Sequence, residues 1–122
     1  MAAITTEIGA MGEKAAVKWL RRKGYMIRDL NWRNGRYELD IIAEKLYVTH
    51  FIEVKTRRVD GLTTPEDAIT EEKFAALTKA ARSYVAQYHI KTECQFDLIA
   101  VDVEQSGEMN IRLIEKAMEF RW

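Results

Sequence analysis

The chain has 122 residues and a mass of 14.2 kDa, the size of one domain built around one core. With 48% hydrophobic and 31% charged residues, one proline and six glycines, it is not a disordered, collagenous or low-complexity chain, and its single cysteine, Cys94, excludes a disulfide scaffold. No apolar run approaches the roughly 18 residues of a membrane span and the N-terminus lacks a secretory pattern, so the expectation is one domain over residues 1–122, in the cytoplasm and away from membranes.

The first predicted element is a helix over residues 5–23, with Thr5 or Thr6 as N-cap, Glu7 in its first turn and Gly24 as its stop. Lys14, Lys18, Arg21 and Arg22 fall on one stripe of it. Glu13 lies off that stripe, among Gly9, Ala10, Ala16, Val17 and Leu20, and so faces the body of the protein. A short strand over residues 25–30 follows, then a turn over 31–35 on the chemistry of Asn31, Asn34 and Gly35. Next comes a hairpin with arms over residues 36–44 and 46–56. The second arm is apolar on both faces, as a central strand covered on two sides should be. Residues 57–63 read as a mobile loop, and Thr64-Pro65-Glu66-Asp67 as the start of a short helix. A longer helix over 71–89 carries Phe74, Leu77, Ala81, Tyr84, Val85 and Tyr88 at three- and four-residue steps. An inner strand over 94–103 and an edge strand over 109–115 complete the order αβββαββ, an α/β protein with a mixed sheet flanked by helices.

Charge is unevenly distributed. Residues 1–58 hold twelve Lys and Arg against seven Asp and Glu, and residues 59–122 hold the reverse. The extreme stretch, 14–36, has eight basic residues and one acid, Asp29. Such a block suits a polyanion, although charge alone does not separate that role from a solvated helix face with a basic loop.

The strongest chemical signal is Glu53-Val54-Lys55 near the end of the second arm, opposite Glu38 and Asp40 on the first. Alternation directs Glu53 and Lys55 to one face, and Glu38 and Asp40 together to a face of their own arm. Charges in strands this apolar cost free energy unless they pair or bind a cation. Carboxylates suit a hard divalent ion, and the same residues also read as an internal salt-bridge cluster. Glu38 reads as an accessory that orients Lys55 or accepts a backbone amide. His50, His89 and Cys94 lack zinc spacing and read as exposed or packed side chains. Trp32 reads as a stacking platform or as a cover for a sheet edge.

Together Gly9-x-x-Gly12-Glu13, Asn31-x-Arg33, Glu38-x-Asp40, Phe51-Ile52-Glu53-Val54-Lys55-x-Arg57, Lys73-x-x-x-Leu77 and Phe96-Asp97 resemble the YraN family of small bacterial proteins over nearly the whole chain. These are inferred endonucleases similar to archaeal Holliday junction resolvases, with a restriction-endonuclease-like fold and a PD-(D/E)xK motif. The resemblance implies that Asp40 is the motif aspartate, that Glu53 and Lys55 are the (D/E)xK pair, and that Glu13 is the helix carboxylate completing a catalytic site. Asp40, Glu53 and Glu13 would then bind Mg²⁺ or Mn²⁺. Arg36-Tyr37 departs from the family, whose members usually carry glycine directly before the residue matching Glu38. Lys18, Arg21, Arg22, Arg33, Arg57, Arg58 and Lys73 are the expected contacts to nucleic acid, DNA above all. Related resolvases work as dimers, which makes a homodimer an expectation as well. The alternative function is a non-catalytic nucleic-acid-binding module of a repair or processing assembly.

Overall fold

A computed structural model describes residues 2–59 and 70–118 of the chain. In order these form α1 (Ala2–Arg22), β1 (Met26–Asn34), β2 (Tyr37–Lys45), β3 (Val48–Arg58), α2 (Glu71–Tyr88), β4 (Glu93–Val103) and β5 (Met109–Met118). The strands make one sheet in the order β1-β2-β3-β4-β5, antiparallel throughout except for the parallel β3–β4 pair that the α2 crossover permits. This is the α/β arrangement expected of a restriction-endonuclease-like core, with β3 central, β4 internal and β5 at an edge.

Each helix covers one face. Ala16, Val17 and Leu20 of α1 pack on Ile41, Ala43, Ile52, Ile99 and Val101, whereas Leu77, Ala80, Ala81 and Tyr84 of α2 pack on Leu39, Ile42, Phe51 and Phe96. Neighbours in sequence on β2 and β3 thus divide between two cores, the reason the hairpin arms read as apolar on both faces. The end of α1 is fixed by Gly24 at φ +91°. The amide of Gly24 bonds the Arg21 carbonyl (3.1 Å) and that of Tyr25 the Leu20 carbonyl (3.0 Å), while the side chains of Leu20 and Tyr25 share the core. At the start of α2, Thr70 Oγ1 accepts the Lys73 amide (3.1 Å), with Glu71 and Glu72 in the first turn. Tyr84 ties α2 to β1 by donating its hydroxyl to Asp29 Oδ2 (2.7 Å).

Several expected boundaries differ. Helix α1 begins at Ala2 rather than at a Thr5 or Thr6 cap, with no acid in its first turn. Strand β1 runs through Asn34 and the turn is confined to Gly35-Arg36, so Asn31 lies inside a strand, at φ +49°. The asparagine signal was a backbone preference for the left-handed region, which strands also use where they are interrupted. Arg57 and Arg58 belong to β3, paired with Asp102 and Val103 of β4, rather than to a mobile loop. The helix start expected at Thr64-Pro65 lies outside the described residues. The β2–β3 turn is Leu46-Tyr47, both at positive φ (50° and 66°) and both exposed.

Candidate active site

The site originates where two strands lose their alternation together. On β2, Leu39 packs toward α2 but Ile41 packs toward α1, so Asp40 lies at a phase break. On β1 the register Leu30↔Ile41 and Trp32↔Leu39 leaves Asn31 opposite that same position. The β2–β3 ladder runs from Lys45↔Val48 to Ile41↔Ile52 and stops, although both strands continue. Past that point the carboxylate of Asp40 stands in for the missing strand partner, accepting the Val54 amide at Oδ2 (3.0 Å). The charge of Glu38 still reaches Asp40, and both act on Glu13.

Glu53 lies on the opposite side of β3 from the α1-facing Ile52 and Val54, toward α2. It shares a hydrogen bond with Asp40, donated by Glu53 when protonated. Burial above all, and then the Asp40 charge, push the Glu53 carboxyl up to about 7; burial likewise raises Asp40. The two titrate as a pair. Glu13 arrives from α1, its carboxyl also raised, by burial and then by the charges of Asp40 and Glu38, while a hydrogen bond from Asn31 opposes the rise. Its helix comes this close because residue 12 is glycine: a Cβ there would fall 1.9 Å from Thr56 Oγ1 on β3. Asp40 and Glu53 are therefore paired and Glu13 stands near enough to feel the charge of Asp40, oxygen donors of the kind that suits Mg²⁺ or Mn²⁺, although among the described residues the three whose ligand atoms all lie within 4.8 Å of one another are His50, Asp97 and Glu115.

The cations are arranged differently from expectation. Lys55 is exposed and forms no ion pair among the described residues. The ammonium beside the carboxylates is that of Lys73, 3.5 Å from Glu53 Oε1. Glu38 pairs with Arg33 (3.2 Å) across the β1–β2 hairpin, not with Lys55. Arg57 is engaged by Asp102 (Nε to Oδ1, 3.0 Å), which removes it from the set of loop cations, whereas Arg58 is exposed. Lys14, Lys18, Arg21 and Arg22 are all exposed, and the first three line a groove of about 390 Å³ between α1 and β1 that Glu13 and Asn31 also line. The basic stripe thus shares its groove with Glu13.

Sequence reasoning missed Asn31, read as a turn residue, and the position of Lys73. A clue to Lys73 was present: a cation in the first turn of a helix opposes the helix dipole and needs a local anion. The remaining candidates are structural. Trp32 covers the α2 core, edge-on to Tyr84 (5.2 Å). His50 is buried against Tyr25, its Nδ1 2.6 Å from Asp97 Oδ2. Asp97 Oδ1 accepts the Gln95 side-chain amide (2.8 Å) and the Lys116 amide (2.9 Å), so Asp97 is consumed by internal bonds although Glu115 approaches the same group. Cys94 is half-buried.

The model of Uncharacterised protein family UPF0102 matches residues 12–101, a span that includes Glu13, Asp40, Glu53, Lys55 and Lys73. The chain belongs to the UPF0102 family. This is the YraN family whose motifs the sequence carries. Relatives include a UPF0102 protein of Bacteroides fragilis, 39% identical over 110 residues (90% of each chain), and one of Bacteroides thetaiotaomicron, 39% identical over 111 residues (91% of each). Another, from Nitratidesulfovibrio vulgaris, is 45% identical over 94 residues, 76% of this chain and 70% of its own. Among the described residues of this UPF0102 protein, no helix is long and apolar enough to cross a membrane.

Proposed function

We propose that this UPF0102 protein is a metal-dependent endonuclease that hydrolyses DNA phosphodiester bonds, with branched or otherwise structured DNA as its substrate class. The observation that carries the reading is the partly buried Asp40–Glu53 pair, held by the Val54 amide on Asp40 and the Lys73 ammonium 3.5 Å from Glu53, with Glu13 beside it on the lining of a basic groove. A divalent cation relieves both their repulsion and their burial, and Asp40, Glu53 and Glu13 are the residues that would hold it. When bound, Mg²⁺ supplies Lewis-acid polarisation of the phosphodiester.

The chain's own residues account for the rest. Lys14, Lys18 and Arg21 hold phosphates along the groove and deliver the backbone toward Glu13, with Arg22, Arg33 and Arg58 as outlying contacts. Lys55 is free to orient the attacking water and to offset charge on the pentacovalent phosphorus. Asp40 is held by the Val54 amide and so presents a fixed carboxylate. The test is a cleavage screen over linear, nicked, flapped and four-way DNA with Mg²⁺ and with Mn²⁺, with Asp40→Asn and Glu53→Gln as controls. Cleavage that disappears in both variants supports the proposal. Tight DNA binding without cleavage of any substrate replaces it with a non-catalytic nucleic-acid-binding module.

A further inference from the structure

Two lysines lie near the carboxylates, and they differ in what they touch. Lys55, the motif lysine, forms no ion pair among the described residues. Lys73, from a different element, has its ammonium 3.5 Å from Glu53 Oε1. The backbone of Lys73 is fixed. Its amide is bonded by the Thr70 cap, the adjacent Phe74 ring sits edge-on to Phe96 at 5.4 Å, and Leu77, one turn on, is in the core. The side chain above that anchor is half exposed, so the ammonium can move while the helix stays. A lysine in a helix's first turn is repelled by the positive end of the dipole, which Glu71 and Glu72 offset in the same turn, and the anion its ammonium meets across the packing is Glu53 of β3.

We propose that Lys73 is the built-in counter-cation of the carboxylate centre, stabilising Glu53 beside Asp40 in the metal-free protein and yielding that place to a divalent ion. This rests on the reading of Glu13, Asp40 and Glu53 as a metal site. It divides the work of the two lysines: Lys73 is a positioning residue whose charge opposes metal loading, and Lys55 has no part in the metal-free balance. The charge of Lys73 also acts on Asp40, lowering both carboxyls against the rise imposed by burial. Once a divalent ion has entered, the displaced ammonium lies at the rim of the site, where a phosphate oxygen is the anion left for it to pair with.

The test combines metal binding with a stability cycle in full-length protein. By Mn²⁺ titration calorimetry at pH 8.5, Lys73→Met should bind roughly 3- to 10-fold more tightly than wild type, because a cation no longer competes for the same oxygens. Lys73→Arg should stay near wild type and Lys55→Met should change little. In chelator at the same pH, Lys73→Met should lower the Tm by about 2–5 °C in the wild-type background and by much less in Glu53→Gln, which lacks the charge to be balanced. Unchanged or weaker Mn²⁺ affinity in Lys73→Met, or a Tm loss of equal size in both backgrounds, overturns the proposal. If neither wild type nor Lys73→Met takes up Mn²⁺, the metal-site reading fails and the yielding of Lys73 with it. The stability cycle would still show whether the Lys73–Glu53 pair balances charge in the metal-free protein.

Discussion

Replacing Glu53 by glutamine should make the metal-free protein more stable above neutral pH and leave it nearly unchanged in acid. The carboxyl titrates at about 7 in the folded protein against an ordinary value of 4.5, so between those values the folded state binds more protons than the unfolded state. Stability therefore falls as pH rises through that window, the reverse of the usual contribution of a paired carboxylate. At 1.36 kcal/mol per pH unit the full window corresponds to about 3 kcal/mol, a ceiling for Glu53 because it titrates together with Asp40. Glutamine keeps the shape and an acceptor for Lys73 but carries no charge, so it escapes the penalty. Urea denaturation in chelator at pH 5, 6, 7 and 8 measures the difference directly. The two proteins should differ by less than about 1 kcal/mol at pH 5, and the variant should be more stable by about 2–3 kcal/mol at pH 8, most of the window. A difference independent of pH, or a variant less stable at pH 8, would refute the claim that Glu53 is held at a cost. Mn²⁺ should bind wild type increasingly well as pH rises through 7, since the ion competes with that proton.

Further expectations follow from individual contacts. Gly12→Ala should cost about 1–2 kcal/mol despite alanine's better helix propensity, because its methyl meets Thr56, and Thr56→Ala in the same chain should recover part of the loss; wild-type stability by urea titration would mean α1 does not need that close approach. Changing Leu46-Tyr47 to Asn-Gly should raise the Tm by several degrees, since both positions hold positive φ, and an unchanged melt would mean that these side chains bear no strain there. Alanine at Lys18, Arg21 and Arg22 together should flatten the salt dependence of DNA binding by about 0.9 log unit per lost duplex phosphate contact, and an unchanged slope would move the interface away from α1. Lys55→Ala should leave Mn²⁺ affinity and DNA binding near wild type but slow single-turnover cleavage by roughly 10²-fold, and equal rates would remove Lys55 from the chemistry.

The legible part of this fold was what periodicity controls. Apolar spacing revealed the α2 core face and the two-sided burial of β2 and β3, and glycine marked the end of α1. The carboxylates were legible as residue types, since charges in an apolar hairpin need a reason. Their geometry was not. It depends on a loss of alternation at Asp40 and Asn31 that no local signal announces, because asparagine's tolerance of positive φ serves a turn and an interrupted strand equally. Arg57 illustrates the same limit: its partner Asp102 is 45 residues away, joined through a parallel pairing that becomes visible only when β4 is placed beside β3. Lys73 was visible as a motif residue but its partner was not, because an N-terminal lysine on a helix shows that an anion is needed without naming which one.

The truncated β2–β3 ladder gives the site a reporter of its own. The Val54 amide is held by a single carboxylate oxygen rather than by a neighbouring strand, so its hydrogen bond has the charge of Asp40 as its acceptor. Protonation of Asp40, or a cation drawing on the same carboxylate, weakens that acceptor without moving the core beneath it. The ¹⁵N shift and exchange rate of this one amide should therefore follow the occupancy of the site, while Ile52, within the intact ladder, supplies the internal reference. A backbone group left over by an interrupted sheet thus becomes a means of watching the chemistry from inside.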